Sequence, residues 1–189
     1  KAGNLDTPSR RFLYRPDRLA ERFVKPGDHV LDFGCGPGFF TREFARRVGE
    51  LGQVWSADLQ EEMLDILRKK LDHEELMSRV RTHHCPPDHI GLPAELHGTF
   101  DVVFTIFVLH EVPDLEQYFR EIALLLKPGG TYFYTEPLGL VPGKEFAENL
   151  ALLENSGFRV EDRYWYFLNR AAVHRKVCGG LTHPPRPLF

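Results

Sequence analysis

The sequence predicts a doubly wound α/β fold: a mostly parallel sheet of seven strands, with an antiparallel strand near one edge. Three observations carry this reading. Short apolar runs bounded by turn residues alternate five times with stretches of helical period, the pattern of strands joined by crossover helices. The run His29-Val30-Leu31-Asp32-Phe33 stops at Gly34, Gly36 and Gly38, and a helical pattern follows at once. That is a strand turning sharply into a helix, with no Cβ atoms where the backbone bends. The last two apolar segments, 158–167 and 171–178, have no helix between them and so pair as a closing hairpin.

Each element has its own signal. Residues 1–15 are polar and basic (Arg10, Arg11, Arg15) and read as a loose arm. Residues 16–24 form a short helix with Leu19, Ala20 and Phe23 on one face, closed by the turn Lys25-Pro26-Gly27-Asp28. The first strand is 29–33. A helix over 38–48 places Phe40, Phe44, Ala45 and Val48 on one side and ends at Gly49. The second strand, 53–57, ends at Asp58, and a helix over 60–71 carries Met63, Leu64, Ile66, Leu67 and Leu71. A weaker third strand spans 79–84. Residues 85–98, rich in Pro and His, form a loop with one short helical turn. The fourth strand, 100–107, is nearly all apolar after Asp101, so both its faces are buried. Helix 114–126, the turn Lys127-Pro128-Gly129-Gly130, strand 131–135 and helix 143–155 complete the pattern. The domain organisation read from this is an arm and helix over 1–24, one domain over 25–180, and an extended Pro-rich tail over 181–189.

The 189 residues suit one domain with one adequate core, and 42% apolar against 27% charged content is that of a globular protein. A net charge of −3 argues against a nucleic-acid partner held by bulk electrostatics. Cys35, Cys85 and Cys178 are odd in number and far apart, which excludes a disulfide framework and paired metal-ligand spacing. No apolar run approaches the ~20 residues that span a membrane, and no signal-peptide pattern is present. A cytoplasmic setting follows as the expectation.

The glycine loop selects the ligand. A dinucleotide fingerprint needs glycine at position 39, where Phe39 stands, so the loop reads G-x-G-x-G, and no phosphate-cradling G-x-x-x-x-G-K-[ST] occurs. A nicotinamide oxidoreductase is disfavoured on this ground. Asp58, at the tip of the second strand, can accept both hydrogen bonds from a ribose diol; it can equally cap the helix that follows. Asp32, inside the first strand, needs a partner to offset its desolvation. A ligand amino group is one, and the backbone amides of the glycine turn are the other.

The segment Val30-Leu31-Asp32-Phe33-Gly34-Cys35-Gly36-Pro37-Gly38 resembles the first motif of class I S-adenosylmethionine (SAM)-dependent methyltransferases. Phe100-Asp101-Val102-Val103-Phe104-Thr105 with Leu109-His110-Glu111-Val112 resembles the fourth-strand motif of the ubiquinone/menaquinone-biosynthesis type, and Leu126-Lys127-Pro128-Gly129-Gly130-Thr131 resembles that type's turn into the fifth strand. The resemblance spans about residues 25–136. It implies a Rossmann-like fold and SAM as cofactor. It also implies close approach of the cofactor at Gly34, Gly36 and Gly38, with Cys35 as filler in the turn, and contact with the methionyl end from Thr105, Ile106 and Phe107. The family's usual acid after the third strand, which accepts from the adenine amino group, falls near Pro86 here. Asp88 is the substitute in a shifted loop, with Leu59 and Ile90 as stacking surfaces for adenine.

Two residues are candidates for catalysis. His110, just past the fourth strand, suits a general base but can also cap the next helix. Glu136, past the fifth strand, is a second candidate for substrate contact. His83, His84, Cys85 and His89 do not read as a metal site: adjacent histidines on a strand point to opposite faces, and the spacing fits no zinc pattern. Tyr164, Trp165, Tyr166 and Phe167 read as hairpin core and surface. The arm's arginines read as solvated, with closure over the cofactor or a grip on an anionic substrate as the alternatives. The function expected is methyl transfer from SAM to a small-molecule acceptor, with a homodimer or a partner subunit possible. The alternative is a methyltransferase-like scaffold that serves a partner without turnover.

Overall fold

A computed structural model describes residues 7–177; Cys178 and the Pro-rich tail lie outside the described residues. Six α-helices and seven strands follow in the order α1 (Pro8–Tyr14), α2 (Pro16–Phe23), β1 (His29–Phe33), α3 (Thr41–Val48), β2 (Gln53–Asp58), α4 (Glu61–His73), β3 (Val80–His84), β4 (Phe100–Ile106), α5 (Leu115–Leu125), β5 (Leu126–Glu136), α6 (Gly143–Asn155), β6 (Phe158–Tyr166) and β7 (Asn169–Lys176).

The strands lie in the order β3-β2-β1-β4-β5-β7-β6. All neighbours from β3 to β5 pair in parallel, and β7 runs antiparallel to both β5 and β6. The predicted architecture is therefore found, with the antiparallel strand one place in from the edge. The chain winds from β1 towards β3, then returns to β4 on the other side of β1. That reversal opens a crevice at the carboxyl ends of β1 and β4, where doubly wound sheets bind ligands.

Both faces of the sheet are covered. On one, Val30, Val54, Phe104 and Phe133 pack against Leu19, Phe44 and Leu64 of α2, α3 and α4. Phe44 and Phe104 stack with ring centroids 4.2 Å apart. On the other, Leu31, Val103, Tyr132 and Tyr134 pack against Phe119, Ile122 and Phe146 of α5 and α6. Burying each large apolar side chain contributes about 1.5–3 kcal/mol, so this two-sided packing fixes the strand ends that carry the site.

Three sequence expectations change. Residues 8–14 of the supposed loose arm form α1. Thr7 caps it by accepting the Arg10 N–H at 3.3 Å, and Arg15, at φ 41, breaks it from α2. Contacts distant in sequence hold it down: Arg11 pairs with Glu43, Arg10 lies over the Phe39 ring at 4.9 Å, and the Tyr166 hydroxyl donates to the Tyr14 carbonyl. α3 begins at Thr41, later than the expected 38, because Gly38 at φ +81 cannot continue a helix. The expected turn 127–130 is an irregularity within β5: Phe100 lies opposite Leu126, yet Val102 lies opposite Thr131. Proline without an N–H, and Gly129 at φ +75, allow that bulge.

His174 of β7 is fully buried against Tyr132, and neither ring nitrogen has a hydrogen-bond partner. Burial pushes its imidazole down to about 4 from 6.5. The unfolded chain therefore binds a proton below pH 6.5 that the folded chain refuses until about 4, so stability falls as the pH is lowered through that window. Urea unfolding should show His174→Phe losing about 1.4 kcal/mol less than wild type for each pH unit lowered there. Parallel profiles for the two proteins would contradict the assignment.

Candidate functional site

The crevice is built on the turn after β1. The N–H groups of Gly34 and Cys35 both donate to the Ala57 carbonyl, at 2.8 and 3.2 Å, which ties the turn to β2. Gly34, Gly36 and Gly38 all have positive φ, at 71°, 52° and 81°. A Cβ on Gly34 would lie 2.4 Å from the Val108 side chain, and one on Gly38 would lie 2.3 Å from Leu67 of α4. A Cβ on Gly36 would meet nothing within 4 Å. Two of the three glycines therefore admit the protein's own packing, and only Gly36 presents bare backbone to open space.

Asp58, at the tip of β2, is buried. Its Oδ2 accepts the Gly36 N–H at 2.7 Å and its Oδ1 accepts the Gln60 N–H at 2.9 Å. The two readings made for this acid are thus compatible. It organises the start of α4, and each oxygen keeps a further lone pair for a diol hydroxyl. Beside it lies a cavity of about 210 Å³ whose lining includes Gly36, Leu59, Met63, Asp88, Phe107 and Val108. Sites for drug-sized ligands run from about 300 Å³ upward, so a whole adenosyl amino acid would need this cavity to widen. The lining chemistry fits such a ligand: bare backbone at Gly36, a carboxylate with acceptor capacity to spare, and apolar Leu59 and Met63 for a flat ring.

The structure brings Gly34, Gly36, Asp58, Leu59, Asp88 and Phe107 to the cavity wall. Asp88 sits at the rim, where its hydrogen bond to His89 at 2.6 Å holds its carboxyl below the usual range. The other predicted contacts lie off the wall. Gly38 packs under Leu67. Cys35 is buried in the core, and burial raises its thiol well above the ordinary value. Ile90 is fully buried on the α5 side, where its N–H donates to Glu121 at 2.8 Å. Thr105 is buried below the edge, its hydroxyl 2.6 Å from that of Tyr132. Ile106 joins the opposite core. Within the protein, Asp32 is partnered by Thr41 and not by a glycine amide: the Thr41 hydroxyl donates to it at 2.6 Å, and burial raises its carboxyl to about 7.

His110 and Glu136 form one unit. Glu136 is 1% exposed; it accepts the Leu109 N–H at 2.7 Å and lies 2.6 Å from His110 Nδ1. Burial raises its carboxyl, and the His110 hydrogen bond opposes that. Sequence reading named both residues but not the pair, which is separated by 26 positions. It missed Val108 and Glu111, also on the cavity wall, for lack of any spacing that marks them. His83 and His84 bond separately to the carbonyls of Ile90 and Leu59, and no group of three or more metal-ligating side chains occurs among the described residues.

Comparison with known proteins decides the family. The sequence profile described as "Methyltransferase domain" matches residues 30–130. This chain belongs to the class I SAM-dependent methyltransferase family. The ubiquinone/menaquinone biosynthesis C-methyltransferase UbiE of Hydrogenovibrio crunogenus is 33% identical over 141 residues, covering 71% of this chain and 54% of that protein. The chain thus spans about half the length of the curated relatives it matches. A SAM-dependent methyltransferase from Aquifex aeolicus superposes with a TM-score of 0.82 at 27% identity, over 93% of this chain and 97% of that one. The [4+2]-cyclase SpnF shares the fold at TM-score 0.71 and 18% identity, over 87% of this chain and 81% of its own.

SAM is the cofactor that this methyltransferase membership implies. The glycine geometry then separates two substitutions. Gly36→Ala should cost only the strain of positive φ, about 1–2 kcal/mol, yet weaken SAM by tenfold or more in calorimetric titration, because its methyl group enters the cavity. Gly34→Ala should unfold at lower urea, because Val108 must move. Equal SAM affinity for Gly36→Ala and wild type would contradict this division of roles.

Proposed function

We propose that the chain transfers a methyl group from SAM to a small-molecule acceptor bearing a weakly acidic proton, a phenol or enol. The observation that carries this reading is the His110–Glu136 pair, at the carboxyl ends of β4 and β5 and next in the chain to Glu111 of the cavity wall. A buried carboxylate on Nδ1 favours the tautomer with its proton there. Nε2 is then left as a proton acceptor, and the imidazolium that forms is stabilised by the carboxylate. Residues 25–180 are the methyltransferase domain in this reading.

SAM supplies an electrophilic methyl on a sulfonium and leaves as a neutral thioether. The chain's own residues position and deprotonate. Asp58 receives the ribose diol, Gly36 lets the ligand lie against backbone, and Leu59 and Met63 cover its flat ring. Holding reactants in line supplies about 7–11 kcal/mol of barrier lowering when water is excluded. His110 takes the acceptor's proton as the nucleophile attacks, so the acceptor loses one proton and gains one methyl. The aromatic cluster of Tyr14, Phe107 and Phe167, with Tyr14 centroids 5.4 and 5.5 Å from the other two, offers a surface for a planar acceptor. A relative named as a C-methyltransferase of quinone biosynthesis agrees with such a ring.

A second reading, a scaffold that binds SAM and serves a partner subunit, is favoured by Pro86 standing where the family usually places its adenine acid. A homodimer or partner would complete the acceptor side in either case. Turnover decides between them. Release of S-adenosylhomocysteine with a panel of phenols should fall about 10²–10⁴-fold in His110→Ala. The Kd for SAM should stay within about threefold, and Glu136→Gln should fall in the same direction. SAM binding without turnover on any acceptor supports the scaffold, and unchanged kcat in His110→Ala removes the base.

A further inference from the structure

The carboxyl edge of the sheet carries an exposed apolar surface that continues outward from the aromatic cluster of Tyr14, Phe107 and Phe167. It comes from three segments. Phe12 and Leu13 of α1 are 78% and 43% exposed. Trp165, Phe167 and Leu168 surround the tip of the β6–β7 hairpin, with Trp165 60% and Leu168 66% exposed. Leu140, in the loop after β5, is 62% exposed.

These segments adjoin. The Tyr14 ring at the end of α1 meets the Phe167 ring at 5.5 Å. Arg170 lies over the Trp165 ring at 5.7 Å and donates to the Val141 carbonyl at 3.1 Å, which joins the hairpin to the loop. The surface flanks the end of β5, where Glu136 holds His110. Large apolar side chains gathered on one exposed edge mark an interaction site.

Charge identifies the occupant. Residues 8–18, 137–144 and 163–170 carry seven arginines and lysines against the single acid Asp17, in a chain whose net charge is −3. Arg11 is paired with Glu43 and Arg15 with Asp17, and the other cations of these segments still outnumber their acids. Aromatic and aliphatic tips set among cations match the headgroup boundary of an anionic bilayer, where Trp and Phe seat at the interface and Arg meets lipid phosphate. A protein partner for so basic an apolar edge would have to be acidic and apolar together.

We infer that this edge docks reversibly on an anionic phospholipid surface, with the Trp165 hairpin tip and Phe12 as the inserted groups. The contact needs neither SAM nor acceptor, so it stands or falls apart from the methyl-transfer reading.

The test uses the full chain with vesicles of phosphatidylcholine alone and of phosphatidylcholine mixed with phosphatidylglycerol. Sedimentation should show at least about tenfold stronger partition to the mixed vesicles, lost at high salt. Trp165 emission should shift to the blue, read in a Trp55→Phe background. Phe12→Glu combined with Leu168→Glu should lower partition about tenfold or more with unchanged melting temperature and SAM affinity. No partition to either vesicle would overturn the inference. So would equal partition to both, or a double variant that binds like wild type. A dimer that the double variant dissolves, without vesicle binding, would also overturn it and assign the edge to a second copy.

Discussion

The hydrogen bond from the Gly36 N–H to the Asp58 carboxylate, at 2.7 Å, is the contact on which the crevice depends. It joins the turn after β1 to the tip of β2. It aims a backbone donor at a carboxylate and leaves that carboxylate with acceptor capacity. A charge-assisted bond of this kind is worth about 1.5–3 kcal/mol. The two N–H groups on the Ala57 carbonyl hold the same turn from the other side. The turn and the strand tip are therefore fixed to each other by the protein's own hydrogen bonds.

The three glycines have three separate causes. Leu67 needs the space over Gly38 so that α4 can close on the turn, and Val108 needs the space over Gly34. Only Gly36 is bare for a ligand. Beneath them, Asp32, Thr41 and Ser56 form a buried polar column, with the Ser56 hydroxyl donating to Thr41 at 3.3 Å and Thr41 donating to Asp32. That column secures the start of α3 from inside the sheet. Asp32 is thus a supporting residue for the turn, and burial holds its carboxyl at about 7.

Local signals made the fold legible. Short apolar runs marked seven strands, and the glycines at 34, 36 and 38 marked the turn after β1. Sequence reasoning expected Asp58 and the glycine turn at one crevice, and the structure brings Asp58 and Gly36 within 2.7 Å. The site was not legible where function rests on direction or on distant pairing. Thr105 and Ile106 were expected at one surface, but neighbouring strand residues point to opposite faces, and these enter opposite cores. α1 has seven residues and is held by Glu43 and Tyr166, so its own periodicity could not reveal it. The union of His110 with Glu136 requires the side-by-side placement of β4 and β5, which no spacing in the chain encodes.

A crystal structure of the complex with S-adenosylhomocysteine tests the central claim most directly. The account predicts the ribose hydroxyls on Asp58, the ligand against Gly36 with the cavity widened around Val108, and the sulfur directed towards His110. A nucleoside bound away from Asp58, or held with the space beside Gly36 filled by protein side chains, would contradict it.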